Sequence, residues 1–592
     1  MSSISAAGSS SLFIGLRAEL DELQRRLGTG TRAETYGGLG LERVGSLDIR
    51  AKQAALKGAD AAISGAATRL KVMEATLTRL TAMRGEAARN VLPGTTLPDA
   101  SGRNLVRQMA EARMREAVDL LNQEVAGRHL FAGRATDAPP VVSYGRIMEG
   151  DPTAGLAGLK TLIAERKAAD RGDGLGRLGL AANGATGVTL SESASTGARL
   201  NFGFLLREAT STGSGAITLA PQAAVPPTVA LDFSTQPADG EVVRVTVNRP
   251  DGGQSLLDLT ARQGPAGEGE FAIGATSAAT AANLRAALGT AAVAGAHSVR
   301  PDGTDGSLTV TVSGGAPASL ALEVAAQPSE GDAVRVTLAL RDGTSTTFTL
   351  TARTRPGTAQ GSFAVGATRE ATAANLSAAL TAAIGREADT ALAAASATVA
   401  AADFFQGSPA PPDDRPRRVQ GDPATATGFE PRASTRPTLL WYRGDDGAPS
   451  ARETAPVRVD ATLSVGTGAQ ANEVPIRHLL AQLGVLAAES FGSTEEERYA
   501  ALAERVGGAL APDPARPALE GVAAEIGLAQ SSLAAAKERH AAGAALLEDA
   551  LSGIERADPQ ESAAALLSLQ TRLQASYQVT AMLSRLSLVN YL

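Results

Sequence analysis

His129, His297, His478 and His540 are the side chains of this 592-residue sequence best suited to acid–base or metal chemistry. They stand far apart, with no HxxxH pair and no acidic residue at a ligand-like spacing, which favours packing or solvated roles over metal binding. The chain has no cysteine, so thiolate zinc sites, iron–sulfur clusters, disulfides and thiol nucleophiles are excluded. Gly37-Gly38-Leu39-Gly40 lacks the order and the following helix of a dinucleotide loop, and no GxxxxGK[ST], GxSxG or HExxH run occurs. Asp302, Asp305 and Asp342 sit beside glycine as turn formers do, and Trp441-Tyr442 reads as a packing pair. No catalytic constellation, cofactor site or metal site emerges, and an enzyme is the least favoured class. The charge balance, 55 Lys+Arg against 62 Asp+Glu, is spread along the chain and gives no basic footprint for nucleic acid.

The elements behind these residues are mostly helical at both ends. Leu16, Leu20, Leu23 and Leu27 recur at helical spacing until glycines from Gly28 to Gly40 break the run. Leu56, Ile63, Leu70 and Leu77 then fall at intervals of seven, with Ala59, Ala66, Met73 and Leu80 three residues behind each, the a/d seam of a coiled coil. Pro93-Gly94 stops that helix, and a second stretch from Asn104 to about Arg128 returns as an antiparallel hairpin. Helix resumes near Pro475, with starts signalled by Ser493 with Glu496 and by Asp558-Pro559-Gln560-Glu561.

Between the ends, Gly, Thr, Val and Asp dominate and helical periodicity fades from about Pro139. An internal repeat appears there. Gln236-Pro237 with Val243-Arg244-Val245-Thr246 returns as Gln327-Pro328 with Val334-Arg335-Val336-Thr337, and Phe271-Ala272-Ile273-Gly274-Ala275-Thr276 returns as Phe363-Ala364-Val365-Gly366-Ala367-Thr368. Each copy reads as a β-hairpin unit turning at Asp251-Gly252 or Asp342-Gly343 and closed by an Ala-rich helix. Residues 406–437 have the proline-rich composition of an extended linker, and Val457, Val459, Ala461, Leu463 and Val465 alternate as one strand. The expected organisation is α+β: long N- and C-terminal helices paired as a coiled-coil core, with β-rich outer domains inserted between them. The domains are 1–140 helical, 141–230 β-rich transition, 231–320 and 321–405 outer repeats, 406–455 linker and 456–592 helical.

From Ala563 to Leu592 the only side-chain charges are Arg572 and Arg585, and Arg17 is the first charge of the N-terminus. Leu566, Leu569, Leu573, Leu583 and Leu586 lie along the last helix, while its other positions are uncharged polar residues. A helix without charge on any face is expected to be buried on every face. Ends of a single chain are seldom that deep, so burial by neighbouring copies is the expectation, with both termini ordering on assembly. The assembly interface is therefore placed on Leu56, Ile63, Leu70, Met73, Leu77, Leu80, Leu566, Leu569, Leu573, Leu583 and Leu586.

Leu27-Gly28-Thr29-Gly30, Glu34-Thr35-Tyr36-Gly37-Gly38-Leu39-Gly40, Gly127-Arg128-His129-Leu130-Phe131-Ala132-Gly133 and the ending Leu586-Ser587-Leu588-Val589-Asn590-Tyr591-Leu592 resemble the bacterial flagellin family over about residues 1–140 and 460–592. That family includes filament flagellin and the hook–filament junction protein. The resemblance implies a homo-oligomeric helical filament or junction ring built through the terminal helices, contact with other flagellar axial proteins, and an extracellular place in the flagellum. It also implies secretion without a cleaved signal through the flagellar type III export apparatus with an export chaperone, and the absence of cysteine suits passage of an unfolded chain. No nucleic-acid partner, membrane insertion or cofactor is expected. A secreted adhesin with a helical stalk is the competing reading from another class.

Overall fold

The computed structural model describes residues 2–91, 98–225, 228–248, 254–290, 298–303, 308–313, 315–355, 360–409, 415–430, 434–445, 450–460 and 462–589. Along the chain, helices α1 (Ser2–Thr29), α2 (Arg43–Val91), α3 (Ala100–Leu121) and α4 (Leu159–Arg171) precede strands β1 (Gly179–Asn183), β2 (Gly187–Ser191), β3 (Leu205–Thr212), β4 (Ile217–Gln222), β5 (Thr228–Phe233), β6 (Val242–Asn248), β7 (Gln254–Arg262) and β8 (Glu270–Ala272). After α5 (Ser277–Thr290) come β9 (Ser298–Gly303), β10 (Leu308–Ser313), β11 (Ser319–Val324), β12 (Ala333–Ala339), β13 (Ser345–Arg353) and β14 (Ser362–Ala364). Helices α6 (Arg369–Glu387), α7 (Ala393–Gln406), α8 (Val474–Ala488), α9 (Glu496–Leu510), α10 (Leu519–Glu555) and α11 (Pro559–Val589) complete the chain. The fold is α+β, with the long helices at both ends and the sheets between them, as expected.

The chain forms two compact units. One comprises Met1–Lys71, Pro456–Thr467 and Ile526–Leu592; the other comprises Val72–Ala455 and Gly468–Glu525.

In the first unit the helices pair by length. Thr31 and Arg556 form an antiparallel bridge, Arg32 N donates to Glu555 O (2.8 Å) and Ala557 N donates to Gly30 O (3.1 Å). This clasp fixes where α1 ends and α11 begins, so the two helices run antiparallel from it. Asp558 caps α11 by accepting from Gln560 N at 2.8 Å, with Pro559 in the first helical position, where a missing N–H costs nothing. Val457, Val459 and Leu463 belong to a short hairpin, Pro456–Arg458 paired with Ser464–Gly466, and not to one strand; Ala461 lies outside the described residues.

In the second unit, two four-stranded sheets, β1-β2-β11-β4 and β14-β13-β12-β3, share a core of alternating side chains such as Leu320, Leu322, Val334, Val336, Leu338 and Leu350, closed by Leu376, Leu380 and Ile384 of α6. A module of β5 to β10 with α5 is inserted between β4 and β11 and has its own core around Leu231, Val243, Leu259, Phe271 and Leu284. Its base is closed by a two-bond bridge between Val225 and Ala316 (2.9 and 3.0 Å).

The two copies of the repeated sequence fold alike. In the first, Val242 pairs with Thr260 across β6/β7; in the second, Ala333 pairs with Thr351 across β12/β13. Each copy adds a short parallel strand, β8 or β14, and then a helix. The retained residues carry the joint between sheet and helix. Gln236 donates to Gly274 O (2.8 Å) and accepts from Thr280 Oγ1 (2.5 Å), while Gly274 N donates to Thr280 Oγ1 (2.8 Å). Gln327, Gly366 and Thr372 repeat all three bonds at 3.0, 2.8 and 2.9 Å. Asn283 and Asn375 each bind the carbonyl of the short strand, Ala272 or Ala364. Glycine is required in this joint because a Cβ at Gly366 would stand 2.6 Å from Ala371 Cβ and 2.9 Å from Ala371 C. Gly366→Ala should therefore lower stability by about 1–3 kcal/mol through overpacking, read as a shifted denaturant midpoint.

The turn ahead of β12 adds a pH dependence. Glu330 accepts from Thr354 Oγ1 (2.8 Å) and Arg353 Nη1 (3.1 Å) as well as from Thr354 N. The Thr354 backbone, the Thr354 hydroxyl and Arg353, in that order, hold its carboxyl down at about 2. A depressed carboxyl contributes stability above its unfolded value and loses it as pH falls through the folded one. Glu330→Gln should flatten the acid limb of a melting-temperature profile between about pH 4.5 and pH 2.

Elsewhere the structure departs from the sequence-based expectation for local reasons. Helix α3 starts at Ala100 and not Asn104, because Asp99 caps it by accepting from Gly102 N (2.8 Å). It ends at Leu121 and not Arg128, because Glu124–Val125 and Arg128–His129 form a tight hairpin with Ala126 and Gly127 at positive φ. Ser493 caps nothing in α9, which begins at Glu496. The 141–230 stretch contains the 13-residue helix α4 with Leu159, Leu162 and Ile163 buried. The described part of the 406–455 stretch is packed and not an extended linker. Trp441 and Tyr442 are fully buried, Trp441 Nε1 donates to Phe405 O (2.9 Å), and Val142 N, Arg443 N and Leu439 N tie residues 439–443 to 140–157.

Candidate assembly interface

Within the first unit α2 and α10 are antiparallel neighbours. Contacts ascend along α2 as they descend along α10: Ser46 and Arg50 meet Glu555 (2.5 and 2.6 Å), Asp60 meets His540 (2.8 Å) and Ser64 meets Lys537 (3.4 Å). On α2, Ile63 and Leu70 in this unit and Met73, Leu77 and Leu80 in the second are all at most 4% exposed and Leu56 is half-buried, so these side chains, expected between copies, are already covered within the chain itself. The stripe that α10 carries in this unit, Ile526, Ala529, Leu533, Ala536 and His540, is buried at alternating spacings of three and four. Its spacing was readable in the sequence but is diluted by alanine. His540 gives the seam a polar rung, and an aligned polar pair is worth most when the helices keep one register. Arg50 and Ser46 also hold the Glu555 carboxyl below its ordinary range.

The α1/α11 pair is covered on one side only. Leu569 and Leu573 are 3% and 7% exposed and Leu566 is half-buried; the side chains of Leu583 and Leu586 lie outside the described residues. At about 100° per residue these three leucines occupy an arc of about 60°. Leu567, Tyr577, Val579 and Met582 are each more than half exposed and spread around the rest of the helix. Two further exposed groups belong to the same unit: Tyr36 and Leu41 in the turn before α2 with Val44 and Leu47 in its first turns, Leu41 being 98% exposed, and Leu528 and Leu546 on α10. Of the 16 large apolar side chains exposed among the described residues, 13 fall in this unit, which is the smaller of the two. Apolar residues scattered singly need no explanation, but this concentration sets the unit apart as a candidate interaction surface.

The histidines have separate roles. His129 Nδ1 bonds Asn122 O at 2.9 Å, His478 is part-buried in the second unit with its basicity lowered by burial and then by Arg516 and Arg84, and His297 lies outside the described residues. Among the described residues no group of three His, Cys, Asp or Glu is placed to hold a metal, and no helix is long and apolar enough to cross a membrane. Gly37 to Gly40 form a short 3-10 turn from Tyr36 to Glu42, kinked at Gly40 (φ 61°).

Long helices with exposed apolar side chains thus stand at both ends of the sequence, with the β-rich segments between them. Residues 511–592, which include α10, α11 and the segment leading into them, match the bacterial flagellin C-terminal helical region. A search of curated proteins finds no match. The family is one of structural components of the flagellum.

Proposed function

We propose that the protein is a structural subunit of the bacterial flagellar filament that self-assembles through its terminal helices into a helical tube serving motility. The observation that carries this reading is the apolar surface left open in the first unit, most of it on α1, α2, α10 and α11. Thirteen exposed side chains, at roughly 1 kcal/mol each for incomplete burial, supply on the order of 10 kcal/mol, against an association cost of about 4–15 kcal/mol. One contact would leave most of that surface wet; several neighbours are needed, which repeated head-to-tail contacts supply. The β-rich part is the exposed insertion, and its partners in the flagellum are other copies and the axial proteins at its base. Export is through the type III apparatus with a chaperone, an unfolded passage that a cysteine-free chain allows.

The hook–filament junction role is the second reading, favoured by Gly127 to Gly133 and the Asn590-Tyr591-Leu592 ending. Packing accounts for part of that motif, since Phe131 and Ala132 are fully buried and a Cβ on Gly133 would strike Asp445 O at 2.7 Å. Electron microscopy of purified protein after nucleation separates the two: long tubes are expected, and rings that do not elongate would assign the junction. Excising residues 226–315 at the Val225–Ala316 bridge should leave tube formation intact; loss of tubes in that variant would overturn the division of labour between helices and insertion.

A further inference from the structure

An open groove of about 1130 Å³ lies in the second unit between the edge of β13 and helix α9. Its two walls are pinned together at both ends. Arg505 of α9 pairs with Asp342 (2.9 Å) at one end, and Gln360 donates to Glu497 of α9 (3.2 Å) at the other. Between these pins α9 presents Ala500 and Ala501, with Gly508 just beyond Arg505, positions too small to fill the space.

The opposite wall is a strand edge without a neighbour. Strand β14 pairs with β13 only at Thr351 to Arg353, where Thr351 N donates to Gly361 O (2.9 Å). Successive residues of a strand point their main-chain groups to alternate edges, so Ser345, Thr347 and Thr349 direct theirs to the same side as Thr351. Among the described residues no strand pairs with them there. The floor supplies an independent sign of a missing occupant. Gln482 of α8 lines the groove and is only 5% exposed, yet its Oε1 has no hydrogen-bond partner. A buried acceptor left unsatisfied costs about 1–3 kcal/mol, which an incoming donor would recover.

We propose that this groove binds an extended peptide segment of a partner protein by strand addition to the edge at Ser345 to Thr349, with a hydrogen-bond-donating side chain seated on Gln482. Main-chain groups repeating every second residue, about 6.6 Å apart, suit a strand and not a compact small molecule. Four carboxylates and three guanidiniums line the groove, with Glu504 and Arg386 among them, a near balance that fits a segment of little net charge.

The test uses the full chain as bait for a random heptapeptide library displayed on phage. Enriched peptides should bind wild type, lose at least ten-fold in affinity against Ala501→Leu, which fills the slot, and lose a similar amount against Gln482→Leu. Gly508→Leu, at a position with open space around its Cβ, is the second slot-filling variant should Ala501→Leu shift the melting temperature. N-methylation scanned along a bound peptide should weaken binding at every second residue. No enrichment, binding indifferent to all three variants, or sensitivity to N-methylation without the two-residue period would overturn the proposal.

Discussion

A chain carrying Leu567→Glu is expected to fold as the wild type does and to fail to assemble. Leu567 is 63% exposed within its own chain. Leu and Glu have similar helix propensity, so the substitution should change single-chain stability by no more than about 0.5 kcal/mol. In the proposed assembly the same position would meet a neighbour, and an unpaired carboxylate buried there would cost several kcal/mol in each subunit. The contrast is Leu573→Glu, one stripe away and 7% exposed, which should damage the α1/α11 pair in the isolated chain as well. Pelleting after nucleation, alongside thermal melting of the unassembled protein, distinguishes them: Leu567→Glu loses pelleting with an unchanged melt, Leu573→Glu loses both. Removal of residues 563–592 should reproduce the loss of assembly. Normal pelleting of Leu567→Glu, or a melt shifted as far as that of Leu573→Glu, would mean that this face docks within its own chain and that the assembly reading is wrong.

The parts of this arrangement legible in the sequence are those where one physical preference acts alone. The α2 seam was readable because Leu and Ile recur at strict heptad spacing, and the start at Asp558-Pro559 because cap and proline agree. The charge-free ending reads as a helix buried on every face by neighbouring copies; within the single chain α11 is covered along the stripe of Leu569 and Leu573, with Leu567, Tyr577, Val579 and Met582 exposed. The matching stripe on α10 was harder to see because Ala529, Ala536 and His540 dilute it, and burial of an alanine depends on what faces it. The apolar cluster from Tyr36 to Leu47 was hidden by glycines that read only as a break. Tertiary context overrode local composition in the proline-rich stretch. Proline there removes donors and fixes the backbone, which suits a linker, but Trp441 needs a buried site with an acceptor for its N–H and finds both at Phe405. The groove beside β13 could not be read at all, because it depends on a strand edge and a helix more than 140 residues apart in the chain.

Asp170→Ala should be the most damaging single change to the second unit, at about 3–5 kcal/mol. The carboxylate is fully buried in α4 and accepts from Arg166 Nε (2.8 Å), Ser396 Oγ (2.7 Å) and Gly203 N (2.8 Å), so one side chain joins α4, α7 and the turn entering β3. Around it stand two buried guanidiniums. Arg166 is 3% exposed, as is Arg341, which donates to the carbonyls of Gly203 (2.9 Å), Arg199 (2.6 Å) and Phe202 (2.7 Å). Burial pulls Arg341 down to about 10, and Asp170 is the first of the groups opposing that fall. Alanine at 170 removes the anion while leaving both cations and the Gly203 N–H in place, and an uncompensated buried charge costs more than the pair gained. Asp170→Asn, which keeps an acceptor but not the charge, should fall between. Trp441 is the only tryptophan, is buried, and lies against the end of α7, so its fluorescence during urea unfolding reports on this unit. A shift below about 1 kcal/mol in Asp170→Ala would show that Ser396, Gly203 and the two arginines hold these elements together without the carboxylate.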